Sequence, residues 1–77
     1  MWIRSQDKNL LINANMFNAS ENIVFSGYEE LGKYSSGERA IEVLDMIEDR
    51  IMQGSRFDEI QNGKRKTRDF VFQMPDK

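Results

Sequence analysis

Neither cysteine nor histidine occurs anywhere in this 77-residue chain. Their absence removes the two usual staples of a small fold, a disulfide framework and a structural zinc site. It also removes the side chains most often recruited for proton transfer and nucleophilic attack near neutral pH. A serine nucleophile would lack its usual base, and zinc hydrolase or deaminase sites would lack their ligands. Neither the G-x-x-x-x-G-K-[ST] phosphate loop nor the G-x-G-x-x-G dinucleotide turn is present. The reading is therefore of a chain that is not an enzyme, with no catalytic, cofactor-binding or metal-binding residues to assign and no cofactor.

Long apolar runs are missing too. No segment approaches the ~20 apolar residues of a membrane span. The first residues, Met1-Trp2-Ile3-Arg4-Ser5-Gln6-Asp7, lack the apolar stretch of a secretory signal. A cytoplasmic protein without membrane contact is the expectation. Nor is there an excess of one charge: 11 basic and 13 acidic residues leave a net charge of −2, which by itself selects no partner. The distribution is uneven, however. Residues 36–54 hold two basic and five acidic groups, whereas 55–77 hold six and four.

The length allows one domain, residues 1–77, and no second core. A chain this short buries only about 60–65% of the surface its unfolded form exposes, and its net stability is about 3–5 kcal/mol. Pairing with a second copy is one way for such a chain to gain stability, so a homodimer enters among the partners to consider.

Apolar spacing predicts a helix from about Ser36 to Gln53, with a capping box at Ser35 and Glu38 and a stop at Gly54. Ala40, Leu44, Ile47 and Ile51 form its apolar stripe, flanked by Val43, with Leu44 at the centre of the core. Glu38, Glu42, Asp45 and Asp49 form the opposite face. Upstream the period shortens to two. Strands are expected over Met1–Ser5 and around Leu10–Met16, with Gln6–Asn9 as the turn between them. A second hairpin joins Asn22–Ser26 to Glu29–Tyr34 about Ser26-Gly27, with Gly32 marking a bulge or a close backbone approach. Residues 55–69 read as a mobile basic loop, with Asn62-Gly63 as an alternative hairpin turn. A last strand, Phe70–Met74, stops at Pro75. The expected fold class is α+β, a small antiparallel β-sheet in the order β-β-β-β-α-β with one amphipathic helix packed on one face. Asn13 and Asn15 are placed on the wetter face of that sheet, and Trp2 is expected to pack into the core.

The opening Met1-Trp2-Ile3-Arg4-Ser5-Gln6-Asp7 is followed by Leu31-Gly32-Lys33-Tyr34-Ser35, which leads into Glu38-Arg39-Ala40-Ile41-Glu42-Val43-Leu44-Asp45. With the closing Val71-Phe72-Gln73-Met74-Pro75, these segments resemble a group of small uncharacterised proteins of Gram-positive bacteria and their phages. The resemblance implies a cytosolic bacterial or phage origin and assigns no activity, ligand or functional residue.

Two charged features are candidates for recognition. Glu38, Glu42, Asp45 and Asp49 would offer a docking face to a basic partner, and as a metal site they supply too few oxygens for a hard cation. Lys64, Arg65, Lys66 and Arg68 place four cations in five residues, just ahead of Phe70 and Phe72. Cations beside stacking aromatics can hold phosphates and bases, or an acidic protein. The leading functional expectation is a small protein-interaction or adaptor module. The alternative is a weak, non-sequence-specific nucleic-acid-binding accessory protein that uses residues 64–68.

Overall fold

The computed structural model describes the backbone of residues 1–57 and 71–77, and the side chains of 1–53 and 71–77. It has the expected α+β character, with six short strands and one helix among the described residues. The strands are β1 (Trp2–Arg4), β2 (Leu11–Asn13), β3 (Asn18–Ser20), β4 (Ile23–Ser26), β5 (Glu29–Lys33) and β6 (Val71–Gln73), with α1 (Gly37–Phe57) between the last two. They form two three-stranded sheets, not one. The first is ordered β2-β1-β6, the second β3-β4-β5. Nor is the pairing wholly antiparallel, because β1 runs parallel to β6 and antiparallel to β2. That parallel pair joins the two ends of the described chain, a non-local contact that local periodicity does not carry.

One core serves both sheets. Ile3 from β1, Val24 from β4, Leu31 from β5, Phe72 of β6 with Met74 beyond it, and Ala40, Val43 and Ile47 from α1 are all buried in a single cluster. The helix packs mainly on β3 and β4. Gln6 ties the sheets together at their margin. Its backbone N–H donates to the Leu31 carbonyl at 2.8 Å, and its side-chain oxygen accepts from the Lys33 N–H at 2.8 Å. One residue thus occupies donor and acceptor positions on the outer edge of β5, which blunts an edge that would otherwise invite another strand.

The hairpins show why the strands end where they do. Ser26 pairs with Glu29 across Gly27-Tyr28, and Gly27 has φ 60°, the left-handed conformation glycine adopts without steric cost. Asn18–Ser20, which the period reading leaves unassigned, pairs with β4 through a turn at Glu21-Asn22 in which Glu21 takes φ 54°. On β5 the register slips between Val24–Gly32 and Phe25–Glu30, leaving Leu31 as the extra residue of a bulge. Leu31 and Gly32 are consequently buried side by side, which strict alternation forbids.

The helix differs from expectation at both ends. Its N-cap is Ser36, not Ser35: the Ser36 hydroxyl accepts from the Arg39 N–H at 3.1 Å, and the Ser36 carbonyl accepts from the Ala40 N–H at 3.1 Å. Such a cap contributes about 1 kcal/mol. At the other end α1 continues through Gly54 to Phe57. A single glycine weakens a helix by about 1 kcal/mol but does not by itself end it. The first three residues of the loop expected over 55–69 therefore belong to α1, and the remainder lies outside the described residues, as do Asn62-Gly63 and Phe70.

Tyr34 closes the core beneath the C-terminal segment. It is 4% exposed, and its hydroxyl donates to the Pro75 carbonyl at 3.0 Å. Burial pushes that hydroxyl up from 10.0 to about 12, with the Arg39 charge opposing and Asp76 assisting. Between these values the folded state holds the proton that the unfolded chain has released, so this contribution is complete below pH 10 and lost as pH rises toward 12. Urea unfolding midpoints should fall through that window, and Tyr34→Phe should flatten the fall. An unchanged profile in Tyr34→Phe would show that another group governs the alkaline limit.

Candidate functional site

The helix shows two solvent-facing surfaces side by side. Glu38, Glu42, Asp45 and Asp49 are all exposed and fall within about 60° of one another at ~100° per residue, opposite Ala40, Val43 and Ile47. The structure thus brings the four expected acidic residues onto one stripe. Arg39 approaches Glu42 at 3.5 Å, a pair of little energetic weight because Glu42 stands largely in water. Among the described residues, no group of three or more acidic side chains converges so as to hold a metal ion. The stripe is an extended anionic surface.

Beside that stripe lies an apolar flank. Ile41 is 50% exposed, Ile51 52% and Met52 74%, and Leu44 is only half-buried. Leu44 and Ile51 were expected inside, on a core stripe centred at Leu44. The buried face is instead centred on Val43 and Ile47, rotated toward the other side. Ile41 and Leu44 lie level with the buried Ala40, Val43 and Ile47 but on a side of the helix turned away from them. Length explains Ile51 and Met52: a 21-residue helix is about 31 Å long, whereas β3 and β4 have three and four residues and span roughly 10–13 Å. The sheets cannot cover the whole helix.

The flank has a regular spacing. Ile41, Leu44, Glu48 and Ile51 follow one another at intervals of 3, 4 and 3 residues, the a/d alternation of a helix-pairing seam. Glu48, exposed, sits inside this seam. On one side the seam is bordered by Ala40 and Ile47, which are buried in the chain's own core. Its other border carries Glu38 and Asp45, with Glu42 and Asp49 beyond. The stripe expected from the sequence takes in Leu44 and Ile51 with Ala40 and Ile47 and leaves Ile41 and Glu48 out.

Other candidate positions are placed differently. Lys64, Arg65, Lys66 and Arg68 lie outside the described residues. Trp2, expected in the core, is 45% exposed: β1 is the central strand of its sheet, and alternation turns Ile3 inward and Trp2 outward. The outer face there carries Asn13, Trp2 and Val71 in one row and Leu11, Arg4 and Gln73 in the next. Asn13 is thus on the wet face, as expected. Asp7 is engaged in its loop, where it accepts from the Ser5 hydroxyl at 2.6 Å and the Asn9 N–H at 3.0 Å. The Ser5 bond, followed by that from Asn9, holds its carboxyl below the usual 3.8. No buried side-chain polar atom among the described residues lacks a partner, so none is left aimed at a ligand. No helix among them is long and apolar enough to cross a membrane.

Comparison with protein-family models, with curated proteins and with solved structures finds no match to this chain.

Proposed function

We propose that this chain is a small, cytoplasmic, non-enzymatic interaction module that receives a protein partner on the solvent-facing flank of α1. The observation that carries this reading is the row Ile41, Leu44, Ile51 and Met52, which the chain's own sheets leave partly in water. Isolated exposed apolar residues are ordinary, but several aligned along one helix mark a contact surface. The bacterial or phage setting implied by the sequence resemblance belongs to the same proposal.

A photo-reactive residue placed at Met52 tests it. In a lysate of the cells that make the protein, a discrete protein adduct that survives nuclease treatment is expected, and Ile41→Ser with Ile51→Ser should abolish it while far-UV dichroism stays unchanged. Nuclease-sensitive adducts would instead favour the nucleic-acid alternative. That alternative has one structural observation on its side, the exposed Trp2 ring one strand away from Val71, since aromatic rings can stack on bases. Its electrostatic footprint is small: four cations at 64–68 neutralise at most about four phosphates, for a log–log salt slope no steeper than about −3.6 on duplex DNA.

A further inference from the structure

From the seam on α1 we infer that the partner is a cationic amphipathic helix that places a lysine or arginine against Glu48. The inference rests on the docking surface proposed above and specifies its chemistry. Ile41, Leu44 and Ile51 supply the apolar knobs of an a/d seam, and the exposed Glu48 occupies an a position within it. A carboxylate there is solvated in the free protein. Covering it with an apolar residue would strip its water without replacement, and covering it with an acidic one would add repulsion. A basic residue offsets that cost and fixes the register, the best-attested role of a polar residue at such a position.

The borders of the seam point the same way. Ala40 and Ile47, which border the seam on one side, are apolar and committed to the core. On the other a docked helix meets Glu38 and Asp45, with Glu42 and Asp49 behind them, all exposed. A cationic flank on the partner complements this border. A second copy of the chain does not: antiparallel, two-fold pairing of two such helices sets each acidic border against its own mate. From Ile41 to Ile51 the seam is about 15 Å long, which suits a short helical segment.

The probe is a synthetic helical peptide of about three heptads, with leucine at its a and d positions, one central seam lysine and lysines along one flank. Two companions carry glutamine or glutamate at the central position. Titration of the isotopically labelled full chain should shift amide signals along residues 38–53, with the lysine peptide binding about tenfold or more tightly than the glutamate peptide. Glu48→Lys should reverse that order, and Ile51→Ser should weaken all three. Equal binding of the three peptides, still weakened by Ile51→Ser, would overturn the charge selection and leave the docking surface standing. If no peptide shifts the helix signals, both readings fall. Sedimentation as a dimer, lost in Ile51→Ser, would overturn the inference by naming a second copy as the occupant.

Discussion

Ile47→Ala is expected to cost about 2–5 kcal/mol, comparable with the whole stability of a chain this small, about 3–5 kcal/mol. Ile47 is 1% exposed and belongs to the cluster that joins Ile3, Val24, Leu31, Phe72 and Met74 to the helix. Truncating it leaves a cavity in the one core that both sheets share. The comparison that gives this prediction its edge is Leu44→Ala. Leu44 is half-buried, so the apolar area it loses on truncation is smaller, and its cost should be about 1 kcal/mol at ~25 cal/mol per Å². Urea unfolding followed by far-UV dichroism would show Ile47→Ala mostly unfolded in buffer and Leu44→Ala still cooperative. The reverse order would mean that the buried face of α1 is assigned to the wrong side.

These two residues also show how far the sequence could be read. At ~100° per residue Leu44 and Ile47 are neighbours on one apolar stripe, and the period alone cannot say which half of a wide stripe a sheet will cover. Cover depends on how the helix is rolled against the strands, and that comes from tertiary structure. The α+β class, the β1–β2 and β4–β5 hairpins, the irregularity at Gly32 and the acidic stripe were all legible, because each rests on neighbours close in the chain. The division into two sheets and the parallel pairing of β1 with β6 were not, because they join segments almost a full chain length apart. Asn18–Ser20 was missed because Asn18 and Ser20 carry little strand signal and Ala19 is their only apolar companion. Trp2 was misplaced by size: its bulk argued for burial, but alternation with the buried Ile3 governs its direction. The seam that carries the candidate site was present as spacing and became a surface only once the adjoining face was seen to be the core.

Gly32→Ala should destabilise the fold by about 2–4 kcal/mol, against the ordinary tendency of such a change. Glycine in a strand costs about 0.5–1 kcal/mol relative to alanine, and Gly32 has no positive φ to protect, so backbone entropy alone would make the substitution favourable. Space decides the sign. A Cβ on Gly32 would stand 2.7 Å from the Tyr34 hydroxyl oxygen, 2.9 Å from Cε2 and 3.0 Å from Cζ. Neither the ring nor its backbone is free to yield. The Tyr34 N–H donates to the Asn22 carbonyl at 2.7 Å, and its carbonyl accepts from the Asn22 side-chain amide at 2.8 Å. Its hydroxyl holds the Pro75 carbonyl beside the buried Met74. The added methyl must therefore push the ring off that bond and loosen the segment that follows β6. Tyr34→Phe alone loses the hydrogen bond, about 1 kcal/mol, and removes the atom nearest the new methyl. Combined with Gly32→Ala it should cost less than the sum of the two single changes, because both act on the same contact. Thermal and urea unfolding of the four proteins in this cycle would measure the coupling. A Gly32→Ala protein more stable than wild type would show that the Tyr34 ring does not lie over Gly32.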